Sequence, residues 1–64
     1  MQAAKRLIRI EEVKHKVGAS RPWIYARIAA DEFPRPVKLG AKASGWLESE
    51  IDAWIDARVA ASRG

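Results

Sequence analysis

The chain predicts a small α+β domain, mainly helical, and three observations carry that expectation. Two short amphipathic segments are separated by the turn Val17-Gly18-Ala19-Ser20-Arg21-Pro22. A double-proline stretch, Phe33-Pro34-Arg35-Pro36, is followed by alternating residues that suit a hairpin. A final segment carries Ile51, Trp54, Ile55 and Val59 at helical spacing. Together they give three helices plus a two-stranded β-hairpin within one domain, residues 1–64.

Each element has its own signals. Lys5 to Arg9 reads as a short extended entry, and Ile10, Val13 and Val17 repeat at helical spacing, which predicts a first helix at about 10–17. Gly18 is suited to the left-handed conformation that closes a helix, because a residue with a β-carbon reaches it only at a cost. Ser20 is placed to accept a hydrogen bond from an orphan amide of the next helix, and Pro22 falls in the first turn, where a missing N–H is harmless. The second helix is therefore expected at about 21–31, with Ile24 and Ile28 facing the first. Its opposite side presents Pro22, Ala26 and Ala29, flanked by Trp23 and Tyr25; small residues there let a backbone approach a groove wall closely. Pro34 and Pro36 end the helical run and stiffen the connector. Val37 and Leu39 share one strand face, Gly45-Trp46-Leu47 forms the return strand across a loop from Gly40 to Ser44, and the hairpin spans about 37–47. Ser49 is expected to cap a third helix at about 49–62, with Glu50 and Asp52 near its positive end and its apolar stripe closing the core. Two helices joined by a tight turn, a third helix and a hairpin make a winged helix-turn-helix.

Composition narrows the function classes. A 64-residue chain without cysteine has no disulfide to staple it, so its thin core relies on a few large side chains, the three tryptophans among them. Absence of cysteine agrees with a reducing cytoplasm. No apolar run is long enough to span a membrane, and the charged start lacks an apolar signal core, which argues against secretion. The net charge of +4 is uneven. Residues 1–45 carry ten Lys or Arg against four Asp or Glu, a balance of +6, whereas residues 46–64 carry two against four, a balance of −2. The basic part contains the turn, which points to a phosphate backbone as partner; a solvated basic surface is the plainer alternative.

Candidate contacts follow from that placement. Arg21, at the entrance of the second helix, is suited to guanine or phosphate, or else to pairing with Glu11 or Glu12 across the turn. Tyr25 has a hydroxyl for phosphate and a ring to pack on the first helix. Trp23 either stacks on sugar and base-methyl surface or covers the core beside Arg27. Ser20 is foremost a cap, and a cap at such a helix start also sets amides against phosphate. Arg27 offers a phosphate contact from nearer the core edge. Lys38 and Lys42 lie on the hairpin, with Lys42 at its tip. Trp46 and Trp54 are expected in the core. Chemistry is sparse: His15 lies between Lys14 and Lys16 on the solvent side of its helix, and no glycine-rich phosphate loop or converging carboxylates appear. Neither enzymatic activity, nor a metal, nor a cofactor, nor a small-molecule ligand is expected.

Four segments, Arg6-Leu7-Ile8-Arg9-Ile10 with Val13, Gly18-Ala19-Ser20-Arg21 with Ile24-Tyr25, Phe33-Pro34-Arg35-Pro36-Val37-Lys38-Leu39-Gly40, and Trp46-Leu47-Glu48-Ser49-Glu50-Ile51-Asp52-Ala53-Trp54-Ile55, occur in an order that resembles the AlpA family of phage-type regulators. These are small winged helix-turn-helix proteins related to the MerR-like and excisionase domains. The resemblance covers Arg6 to about Ala61. It implies a bacterial, cytoplasmic DNA-binding protein of a prophage or other integrated element, nucleoid-associated when on DNA. Such a protein acts as a transcriptional regulator or as an excisionase-like directionality factor for a recombinase. Against the family pattern, Pro22 and Trp23 replace small hydroxyl residues, Ala26 a basic one and Asp31 a frequent glycine, so base preference does not carry over.

A domain of this size covers few base pairs, so copies on repeated sites are expected, as a homo-oligomer or a cooperative array. One arrangement sets the hairpin of one copy on the Glu48–Asp56 face of the next; the other is a two-fold pair through Ala57, Ala60 and Ala61. The competing function is a protein-interaction module on the same fold, using Trp23 and Tyr25 to grip an integrase or the transcription machinery.

Overall fold

The computed structural model describes residues 5–64; residues 1–4, which the sequence reading included in the domain, lie outside the described residues. The order is β1 (Leu7–Ile8), α1 (Ile10–Val17), α2 (Arg21–Ala29), β2 (Val37–Gly40), β3 (Ala43–Leu47) and α3 (Glu48–Arg63). The fold is the expected small α+β domain, with one addition. The extended entry is a strand, so the sheet has three antiparallel strands in the order β1-β3-β2 rather than two. Leu7 lies opposite Leu47 and Ile8 opposite Trp46. Pairing puts Ile8 and Trp46 on the same inner face, and both are buried.

Local chemistry at the turn is as anticipated. Gly18 sits at φ 74°, its N–H donating to the Lys14 carbonyl at 2.7 Å. Ser20 Oγ accepts the Trp23 N–H at 3.3 Å. These two caps meet across a single residue, Ala19, which fixes the angle at which α2 leaves α1.

The end of α2 differs from expectation. The helix stops at Ala29 rather than at 31, because Asp31 takes a left-handed conformation, φ 62°. The Asp31 N–H donates to the Ile28 carbonyl and the Glu32 N–H to the Arg27 carbonyl, at 3.0 and 2.8 Å. That pair of bonds is a Schellman closure, formed here without the usual glycine. It turns the chain so that Phe33 enters the core. Phe33 then meets the Trp54 ring edge to face at 4.8 Å. The indole N–H groups of Trp54 and Trp46 donate to the carbonyls of Glu32 and Pro34, both at 2.9 Å. Two tryptophans far along the chain thereby hold the connector that aims β2.

The start of α3 also differs. Ser49 is not its cap: β3 runs directly into the helix, the N-cap is Leu47, and no side chain caps it. The first helical amide, of Glu48, instead donates to the Arg6 carbonyl at 2.8 Å. A strand end supplies the acceptor that a serine would have offered. The helix runs to Arg63, about 24 Å at 1.5 Å per residue.

The core consists of Ile8, Val13, Ile24, Ile28, Phe33, Trp46 and Ile51, with Ile10, Val17, Ala19, Trp54 and Ile55 packed around it. Trp46 is buried as expected, whereas Trp54 is only half-buried at its edge. Val59, expected in the stripe that closes the core, is exposed, as is all of α3 from residue 56 onward. With only the first half of α3 resting on the core, the molecule extends 40 × 36 × 20 Å.

Candidate nucleic-acid interface

Ile24 and Ile28 bury one side of α2 against the core, and this orientation decides what the helix shows to solvent. Pro22, Ala26 and Ala29 are exposed on the opposite side. No element covers them. The side is bounded by two aromatic residues that lean different ways. Tyr25, 40% exposed, meets the Trp46 ring of β3 edge to face at 6.4 Å, so its ring packs on the sheet rather than on α1 as expected. Trp23, 37% exposed, meets the Trp54 ring of α3 at 6.3 Å, and the Arg27 guanidinium lies 5.6 Å from its ring centroid. Of the two roles weighed for Trp23, the geometry matches the cover beside Arg27.

Arg21 is exposed at the start of this face and forms no ion pair among the described residues. The alternative pairing with Glu11 or Glu12 does not form, since Glu11 pairs with Lys14 and Glu12 with Arg6. Arg27 is differently engaged. Its Nη1 donates to Glu32 at 3.1 Å and its Nε is buried without a partner, which points the guanidinium along the flank of α2 rather than outward.

The hairpin adds two cations. Its turn is shorter than expected, Ala41-Lys42 alone, with Lys42 exposed at the tip. Lys38 lies opposite Ser44 in register. Strand alternation puts Ser44 on the same face as Trp46, so Lys38 projects from the sheet face on which Tyr25 packs. Val37 and Leu39 belong to the other face and are exposed. There a β-carbon on Gly45 would come within 3.2 Å of Leu39 Cδ1 and 3.3 Å of the Ile8 carbonyl oxygen, a tight approach that a neighbour would have to relieve. Neither Lys38 nor Lys42 forms an ion pair among the described residues. The structure thus leaves Arg21 and Tyr25 on the uncovered side of α2, with Lys38 on the sheet face that Tyr25 packs against and Lys42 at the hairpin tip, and sets Ser20, Trp23 and Arg27 on the flank toward α3.

Sequence reasoning missed the charge network on the other side. Arg6 Nη1 donates to Glu12 and to Glu48, both at 2.9 Å. Lys16 Nζ reaches Glu48 at 2.9 Å and Asp52 at 2.7 Å. Bonds from Lys16 first and Arg6 second hold the Glu48 carboxyl below its usual range. Asp52 and Glu48 hold the Lys16 ammonium above its own. Two cations, Arg6 just before β1 and Lys16 on α1, are thereby more than matched by three carboxylates, Glu12, Glu48 and Asp52, and the basic excess of the first 45 residues is concentrated elsewhere. The only available signal was the i, i+4 spacing of Glu48 and Asp52 on one helix face.

Among the described residues no group of three or more His, Asp or Glu side chains is placed to hold a metal ion, and no helix is long and apolar enough to cross a membrane.

Comparison with known proteins identifies relatives by sequence. The chain is 46% identical over 56 residues to an uncharacterized protein, ORF88, of Enterobacteria phage P4; the match covers 88% of this chain and 64% of that protein. It is 35% identical over 63 residues to the DNA-binding transcriptional activator AlpA of Escherichia coli K12, covering 89% of this chain and 90% of that one. No solved structure matches significantly. The family described as prophage CP4-57 regulatory protein (AlpA) matches residues 6–59, from the Arg6 that anchors the network to the Val59 exposed on α3. A match running through the turn, the connector, the hairpin and α3 in order places this chain in the AlpA family.

Proposed function

We propose that this chain is a sequence-specific double-stranded DNA-binding regulator of a prophage or other integrated element, acting in the bacterial cytoplasm on the nucleoid, without enzymatic chemistry. The observation that carries it is the uncovered side of α2, whose Pro22, Ala26 and Ala29 leave room for a groove wall while the unpaired Arg21 stands at its entrance. The helix enters the major groove, Arg21 contacts guanine or phosphate, the Tyr25 hydroxyl and the Ser20 end of the helix contact phosphate, and Lys38 and Lys42 follow the backbone beside the wing. Trp23 and Arg27 border the interface and contribute less. The Escherichia coli relative, named as a DNA-binding transcriptional activator, supports transcriptional regulation. An excisionase-like role, with an integrase as partner, is the finer alternative on the same surface, since both roles bind DNA without chemistry.

Several copies act together on repeated sites. A head-to-tail contact with a neighbour's wing would use Glu50 and Asp56 of α3, because Glu48 and Asp52 are occupied by Lys16. A two-fold pair through Ala57, Ala60 and Ala61 is the other geometry, and sedimentation on a long repeat array separates them: assembly that stops at two copies excludes the chain arrangement.

Footprinting on the element's own promoters and attachment region tests the whole reading. Protection at promoters supports regulation and protection at attachment sites supports excision. Retention that is absent, or insensitive to salt, overturns both.

A further inference from the structure

On the Trp23 flank of α2 a groove of about 530 Å³ runs between the helix-turn-helix turn and α3. Val17 and Ala19 line it from the turn, Trp23 from α2, and Ile55 and Val59 from α3. A second depression of about 450 Å³ shares Arg58 and Val59 with it and continues along α3 past Ser62 to Arg63. From Ile55 to Arg63 this stripe is about 12 Å long, the length of two helical turns. Beyond Ile55 it belongs to the half of α3 that is exposed.

The charge along the stripe is unbalanced. The Arg58 guanidinium lies 5.3 Å from the Trp54 ring centroid. The residues three and four positions either side of Arg58 are Trp54, Ile55, Ala61 and Ser62, none of them acidic. Neither Arg58 nor Arg63 forms an ion pair among the described residues. A guanidinium steadied on an indole, with its donors open beside an apolar groove, suits a carboxylate that follows an apolar side chain.

We infer that this groove docks an amphipathic helix of a second protein, apolar along one face and acidic along the edge that meets Arg58 and Arg63. Helix-in-groove binding of this kind reads apolar residues at three- and four-residue spacing. A second copy of this chain is a poorer occupant: α1 and α2 carry basic residues in their last turns, Glu48 and Asp52 of α3 are already bonded to Lys16, and the remaining Glu50 and Asp56 lie about 120° apart around the helix rather than along one edge. Duplex DNA is poorer too, since phosphate leaves Ile55 and Val59 without an apolar complement. The groove shares Ser20 and Trp23 with the edge of the proposed duplex interface, but Ile55, Arg58, Val59 and Arg63, which carry the inference, lie outside it.

The test uses the full chain and two synthetic helical peptides of about four turns, each with leucines at helical spacing, one flanked by glutamates and the other by lysines. Indole N–H resonances of the three tryptophans report binding separately. The glutamate peptide should shift Trp23 and Trp54 and leave the buried Trp46 unmoved, which also certifies the fold. The lysine peptide should bind about tenfold more weakly or worse. Arg58→Glu should weaken the glutamate peptide by about tenfold, and Val59→Asp should do the same, while melting temperature and duplex affinity stay unchanged. Equal binding of the two peptides overturns the inference, as does indifference to Arg58→Glu. So does movement of the same Trp23 and Trp54 signals on simple concentration of the protein, which would make the groove a self-association surface. Duplex alone shifting the Arg58 signals would assign the stripe to the DNA interface and overturn it equally.

Discussion

The two sides of this small domain spend their charge in opposite ways. Where β1, α1 and the start of α3 meet, Arg6, Lys16, Glu12, Glu48 and Asp52 are bonded to one another. Around α2 and the hairpin, Arg21, Lys38 and Lys42 are exposed and unpaired among the described residues. Net charge alone would suggest a uniformly basic surface. The arrangement shows instead that the cations where β1, α1 and α3 meet are bonded within the fold, while Arg21, Lys38 and Lys42 remain open to solvent and to any anionic partner.

The largest expected effect breaks the structural side. Trp46→Ala removes a fully buried indole and leaves the Pro34 carbonyl without its donor, so it should cost about 3–5 kcal/mol in chemical denaturation, enough to unfold a domain this small. A cooperative transition at wild-type midpoint would show that the core lies elsewhere.

The next sharpens the open side. Arg21→Ala should weaken binding to a specific duplex by about 1–3 kcal/mol without lowering the melting temperature. Lys42→Ala should lower affinity evenly across sequences and flatten the salt dependence by about one ion. Unchanged affinity in an intact Arg21→Ala protein would remove that residue from the interface.

A smaller effect, of opposite sign, concerns the end of α2. Asp31 holds φ 62°, which glycine adopts freely. Asp31→Gly should stabilise the domain by about 0.5–1 kcal/mol, since the ion pair it gives up with Arg35, at 3.5 Å, is exposed on both partners. A lowered melting temperature would mean that the Arg35 contact matters more than the backbone.

The smallest is a pH effect in the charge network. The Glu48 carboxyl titrates lower in the folded chain than in the unfolded one, so its contribution is complete above the ordinary carboxylate range and fades as pH falls through the folded value. Lys16 titrates higher when folded, so its contribution is complete below the ordinary lysine range and fades as pH rises through the folded value. Glu48→Gln should therefore shallow the acid limb of a melting-temperature profile. An acid limb identical to wild type would reduce the network to surface decoration.

Much of this was readable from neighbouring residues. Gly18, Ser20 and Pro22 each act within one helical turn, and the structure places all three as their chemistry required. Ser49 misled because its capping potential is real, but β3 enters α3 without a loop and the Arg6 carbonyl reaches the Glu48 amide first. Asp31 misled because its standing in place of a frequent family glycine bears on more than base preference: that glycine position marks the left-handed residue that ends the helix. Tyr25 and Trp23 were expected to flank one face, and they do; which partner each ring leans on depended on where the other tryptophans came to rest.

Local chemistry in the chain thus determined the helices, the turn, the hairpin and the bare side of α2, because caps, proline geometry and residue periodicity act over a few positions. Only the tertiary structure decided the third strand, the charge network and the groove beside Trp23. Those rest on pairs such as Lys16 with Glu48, 32 positions apart, or Trp54 with Glu32, 22 apart. Spacing within a segment carries no record of which distant segment will lie against it; that follows from the single way these helices and strands can bury their apolar sides together.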